Sequence, residues 1–278
     1  MPASFFKLVT GLNQASHWGV VSNPTPEVRT LSLPEVTPVE YRRNLVKLAA
    51  CELRIPTLLE FEEKPPAAFQ HALRKEYPHY EQGQALTGVG PGGVEGETRH
   101  ILRSRHRNYA IVFRASAISL EVSKYEGFNE FFRRLRQVVD AARNVIDSDF
   151  FTRIGLRYVN GLPTGPDPRG WVTSDLVRPL EVGVLGTVNR YWQEVRGSAP
   201  IGDYSFRHGY RGDKETESAE YLLDIDMFIE DIEVDRCLEL VDQLHTQSFA
   251  FFHWCLGRKA LEYLGTGTPK ATIAPQKK

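Results

Sequence analysis

The sequence predicts an α+β protein built on a curved, mostly antiparallel sheet of about eight strands with helices on one face. Three observations carry that expectation. In Asp149 to Gly161 the apolar Ile154, Leu156 and Tyr158 alternate with Arg153, Gly155 and Arg157, the two-residue period of an extended chain that buries one face. Phe128, Phe131, Phe132, Leu135, Val138, Val139, Ala142, Val145 and Ile146 recur at three- and four-residue steps, the signature of an amphipathic helix of about five turns. The order strand, helix, three strands, helix also occurs twice, over residues 39–147 and 148–265, which predicts a duplicated β-α-β-β-β-α unit.

In chain order, residues 1–38 read as an arm: Phe5, Phe6 and Trp18 show no sustained period, and Pro24, Pro26, Pro34 and Pro38 favour extended or turn geometry. A long strand is expected over Tyr41 to Ile55, with Leu45, Ala49, Cys51, Leu53 and Ile55 on one face and Lys47 as the exception. Pro65 and Pro66 suit a helix start, and Phe69, Leu73 and Tyr77 form its stripe up to Pro78. Gly83 to Gly96, with six glycines and Pro91, reads as a surface loop; its spacing is not that of a dinucleotide cradle.

Strands follow at about 99–106, 109–115 and 117–124, then the helix that starts at Phe128. In the second half the central strand leads to a short helix from Ser174 or Asp175 to about Glu181, and then to strands at about 187–196, 201–211 and 219–230. A helix carrying Leu238, Val241, Leu244, His245, Ser248, Phe249, Phe252, Cys255 and Leu256 closes the unit, with Gly257 and Gly265 as the places where it bends or ends. Residues 266–278 read as a polar tail. The whole suggests a saddle-like or helix-grip arrangement.

Composition narrows function by exclusion. The 278 residues are 41% hydrophobic and 25% charged, an ordinary globular balance. Lys and Arg number 34 against 35 Asp and Glu, so no global field draws the chain to nucleic acid or an anionic membrane. The three cysteines, Cys51, Cys237 and Cys255, are far apart and lack metal-ligand spacing, which predicts buried, reduced thiols. No apolar run is long enough to cross a bilayer and the start lacks a secretory pattern, so a cytoplasmic location without membrane contact is expected.

Pro65-Pro66-Ala67-Ala68-Phe69-Gln70, Ile118 to Tyr125 leading into Phe131, Arg153 to Asn160, and Leu223-Asp224-Ile225-Asp226 with Leu244-His245 together resemble a sporadically distributed family of uncharacterised bacterial proteins. The resemblance spans about Leu33 to Gly265. It implies a compact bacterial protein, carries over no catalytic residue, and, through the patchy distribution, associates with mobile or anti-phage defence surroundings.

Among candidate sites, Asp224 and Asp226 leave one face of their strand together with Arg153 and Arg157 on a neighbouring one. With Asn160 these make the predicted binding set, a guanidinium fork for an anionic ligand or a partner chain. Cross-strand ion pairing yields the same pattern and is the plainer account. A divalent metal on the two aspartates, with His245 assisting, defines an alternative metal-dependent hydrolase or nuclease. No metal or cofactor is otherwise implied, because no Walker loop, nucleophile elbow or His-Glu-x-x-His helix occurs. Arg99, Arg103, Arg105 and Arg107 form the densest basic run, either a nucleic-acid track or, more plainly, a charged edge strand. His245 reads as a hydrogen-bonded core histidine. The functional expectation is a non-enzymatic binding or adaptor protein, with Phe5, Phe6 and Trp18 as anchors for a partner or for self-association.

Overall fold

The computed structural model describes residues 30–90, 93–181, 183–188, 190–211, 219–265 and 268–269. The first half comprises β1 (Val39–Glu40), β2 (Val46–Arg54), α1 (Glu60–Glu63), α2 (Ala67–Leu73), β3 (His79–Gly90), β4 (Gly93–Arg103), β5 (Tyr109–Arg114), β6 (Ala117–Val122) and α3 (Phe128–Arg143). The second comprises β7 (Phe150–Leu162), α4 (Ser174–Glu181), β8 (Arg190–Ser198), β9 (Asp203–Arg211), β10 (Tyr221–Glu233), α5 (Cys237–Cys255), α6 (Arg258–Leu264) and β11 (Thr268–Pro269).

Nine strands form one antiparallel sheet in the order β3-β4-β5-β6-β2-β7-β10-β9-β8. β2 and β7 lie side by side at the middle, so the two halves meet along the first strand of each. Beyond them β6, β5 and β4 follow on one side as β10, β9 and β8 do on the other. Helix α5 packs on β7 and β10, and α3 on β6, covering the face that carries Cys51, Leu53, Ile118, Leu120, Ile154, Leu156, Leu223 and Ile225. Phe128, Phe131, Phe132, Leu135, Val138 and Val139 on α3 are all buried against it. At roughly 1.5–3 kcal/mol per large apolar side chain, such burial is the main force holding helices to sheet. All three cysteines are buried free thiols, and burial raises their pKa values.

Several expectations need correction. Residues 83–90 and 93–96 are strand rather than loop: β3 and β4 pair from His79↔Arg103 to Gly90↔Gly93 as one long hairpin, which supplies the ninth strand. Strand pairing is a backbone property, and a hairpin at the sheet's end tolerates glycines and the register shift between Leu86 and Gly88 without an apolar period. The first long strand begins at Val46 rather than Tyr41, because the Asn44 side chain accepts the Val46 N–H at 2.8 Å and turns the chain before it can pair. Lys47 was the exception to the apolar pattern because a bulge between Val46 and Leu48 takes it out of register; its ammonium meets Glu220 at 2.6 Å.

The arm and tail do not end cleanly at 38 and 266. Leu31 donates its N–H to the Ser198 carbonyl, Leu31 and Leu33 pack on the core, and Val39–Glu40 pairs with Thr268–Pro269. Phe5, Phe6 and Trp18 lie outside the described residues. No helix among those described is long and apolar enough to cross a membrane.

A polar pair sits inside the sheet's helix face. His208, 1% exposed, stacks on Phe206, and its Nδ1 shares a 2.6 Å hydrogen bond with the Tyr221 hydroxyl. Burial pushes its imidazole down to about 4. The unfolded chain, titrating near 6.5, therefore takes up a proton that the folded protein refuses. Stability is full above about pH 6.5 and falls as pH drops from there toward 4, by up to roughly 3 kcal/mol. His208→Gln, which keeps a partner for Tyr221, should flatten the unfolding free energy across that window in chemical denaturation; an unchanged slope would assign the pH dependence elsewhere.

Candidate functional site

Strand β7 carries two candidate sites because its side chains alternate. On the open face, Arg157 grips Asp224 with two bonds, Nε to Oδ1 at 2.7 Å and Nη2 to Oδ2 at 2.8 Å, and those bonds hold its guanidinium charged. Arg153 donates to Asp226 at 2.9 Å, stands 3.7 Å from Glu52, and covers the Phe228 ring at 4.2 Å. Its guanidinium folds over Gly155, where a Cβ would fall 2.5 Å from Nη1, so glycine there makes room for the pair. Burial pushes the Asp226 carboxyl up, and the Arg153 charge only partly offsets it. Arg114 also reaches Glu52 and Glu97.

The predicted cluster therefore exists at Arg153, Arg157, Asp224 and Asp226, but as an ion-pair lattice across β2, β7 and β10. Arg153, Arg157 and Asp226 line a groove of about 330 Å³ with Glu52, Arg54, Arg99 and Arg114. Asn160 is not part of it. Counting by twos from Ile154 puts Asn160 on the helix face, where it is 3% exposed. The three residues of the hydrolase alternative are not brought together: His245 on α5 lies across the sheet from Asp224 and Asp226, and the carboxylates already hold arginines. Among the described residues no three His, Cys, Asp or Glu side chains are grouped to hold a metal ion.

The basic run is also rearranged. β4 ends at Arg103 and pairs on both sides, so it is not an edge; β3 is. Arg105 and Arg107 sit in the following turn, with Arg107 at φ 58°, and Arg103 and Arg107 share Glu81 at 3.0 and 2.7 Å. Arg99 instead lines the groove on the open face.

On the helix face, β7, α5, the start of α3 and residues 38–46 enclose a cavity of about 270 Å³. Its walls are aromatic: Tyr41 stacks on Phe249 with centroids 6.0 Å apart, and Phe128 lies flat on His245 at 3.7 Å. The Tyr158 hydroxyl hydrogen-bonds His245 Nδ1 at 3.1 Å and the Tyr125 hydroxyl, and burial pushes both phenols above their ordinary range, so they stay neutral. Asn44 holds the roof by donating to the Tyr125 carbonyl at 2.7 Å, and Arg43 donates its N–H to the Leu264 carbonyl.

Ser248, one turn after His245, is 2% exposed, lines this cavity, and its hydroxyl has no hydrogen-bond partner. Sequence reasoning placed Ser248 in the apolar stripe and Tyr158 among core residues. The parity of β7 and a polar residue within an apolar helix face were the signals that mark Asn160 and Ser248.

Fold and site together define an α+β protein with an open nine-stranded antiparallel sheet, helices on one face, and an aromatic, polar-floored cavity beneath them. The chain matches no protein-family model and no curated protein.

The ion-pair lattice should behave as structure. Arg157→Ala leaves Asp224, only 6% exposed, with Arg207 at 3.8 Å as its remaining cation and should cost about 2 kcal/mol, while the double change Arg157→Ala/Asp224→Ala should cost less than the sum of the single ones. Additive costs in a denaturation cycle would show that the two side chains do not stabilise each other.

Proposed function

We propose that the protein is a binding protein whose ligand occupies the cavity between β7 and α5. The observation that carries this is the Ser248 hydroxyl: a buried polar group without a partner costs stability, and its residue lines the same aromatic-walled space as Asn160. A cavity mostly apolar, with few convergent polar groups, is the usual form of a small-molecule site.

A metal-dependent hydrolase is disfavoured, since a cation would have to displace Arg157 and Arg153 from Asp224 and Asp226. Nucleic-acid contact through Arg99, Arg103, Arg105 and Arg107 is disfavoured too, because Arg103 and Arg107 are balanced by Glu81 and the four do not share a strand. The adaptor aspect of the reading, in a bacterial defence setting with Phe5, Phe6 and Trp18 as partner anchors, rests on the motif resemblance and on composition. The duplicated β-α-β-β-β-α unit with a saddle-like sheet belongs to the proposal as well, supported by the matching strand order on either side of β2 and β7.

Two measurements test the cavity reading. Ser248→Ala removes an unpaired hydroxyl and should raise the stability of the free protein by about 1 kcal/mol. In ligand-observed NMR with small neutral aromatic fragments, hits on the wild type should vanish in Ser248→Leu, which fills the space. A destabilised Ser248→Ala, or hits that persist when the cavity is filled, would make the cavity a packing defect.

A further inference from the structure

Resting on the cavity as the ligand site, we propose that it takes a neutral nitrogen heterocycle: a free nucleobase, or the base of a nucleoside. Size sets the first limit. A cavity of about 270 Å³ suits one or two fused rings. Shape and surface set the second: Tyr41, Phe249, Phe252 and Phe128 offer ring faces and edges, which favour a flat aromatic guest.

The floor decides between an apolar ring and a heterocycle. Asn160 presents a carbonyl acceptor and two N–H donors in one plane, and Ser248 presents a hydroxyl that both donates and accepts. The edge of a nucleobase carries the complementary alternation of donors and acceptors, the chemistry by which Asn reads adenine. A hydrocarbon ring would leave both side chains unpaired in a buried site.

Charge disfavours an acid at the start of α3. The lining carries two arginines, Arg42 and Arg43, and two glutamates, Glu40 and Glu126. Arg43 is committed elsewhere: it covers the Tyr263 ring at 4.6 Å and donates to the Tyr263 carbonyl at 3.1 Å. The start of α3, where an anion would settle, already has a carboxylate against it: a Cβ at Gly127, whose φ is 114°, would lie 3.0 Å from Glu40 Oε1. A phosphate or carboxylate at the start of α3 would therefore meet Glu40.

The test is calorimetric titration of the full chain with adenine, guanine, uracil and adenosine, against indole and naphthalene as rings of similar size without the polar edge, and against AMP. A base should bind at least ten-fold tighter than indole. Asn160→Ala and Ser248→Ala should each weaken that base roughly ten-fold while leaving indole unchanged. AMP should bind no tighter than adenosine. Indole matching the best base, or a base indifferent to Asn160→Ala, would overturn the heterocycle and leave the cavity reading standing. AMP binding ten-fold tighter than adenosine would overturn the charge argument and with it the neutral ligand. No heat from any ring compound would overturn both readings. The wild-type comparison of bases with indole decides the matter even where a variant does not fold.

Discussion

Successive side chains of an extended chain leave opposite faces, and in β7 this alternation separates two chemistries within thirteen residues. Ile154, Leu156, Tyr158 and Asn160 pass under the helices; Arg153, Gly155 and Arg157 face away from them. β7 pairs with β2 on one side and with β10 on the other, so both faces pass through it at the middle of the sheet. A shift of register by one residue would bury two guanidinium groups and expose the core, so the hydrophobic face and the ion pairs specify the same pairing.

Both faces leave buried polar atoms without a partner, Arg99 Nε, Ser205 Oγ and Arg207 Nε on the open side and Ser248 Oγ on the helix side, but they differ in charge. On the open side the arginines and carboxylates neutralise one another through Arg157–Asp224, Arg153–Asp226 and Arg114–Glu52, and the result is a charge-balanced scaffold. On the helix side the polar groups are few, yet Ser248 lacks a partner, and the space beside it is larger than close packing would leave.

The roof of that space depends on a detail of β2. Had the strand begun at Tyr41, residues 41–45 would have joined the ladder. Asn44 instead bonds Val46 N–H and the Tyr125 carbonyl, which leaves Tyr41 free to stack on Phe249 over the cavity. The β1–β11 pair, drawn from opposite ends of the chain, continues this cover. The local preference of one asparagine thus turns the end of a strand into the wall of a site.

Periodicity alone determined the helices α3 and α5, the central strand, the α+β class and the side of the sheet on which Arg153, Arg157, Asp224 and Asp226 stand, because each follows from which residues can be buried together. It also held, unread, the face of Asn160, two residues beyond Tyr158. Pairing partners were decided only by the folded chain. That the glycine-rich 83–96 region forms a hairpin, that Lys47 sits in a bulge, and that β4 is interior while Arg105 and Arg107 turn away from it all depend on backbone hydrogen bonds between distant residues, which leave little trace in side-chain pattern. The cavity is of the same kind. It needs β7, α5, the start of α3 and the 38–46 segment at once, and the empty space they leave belongs to none of them singly.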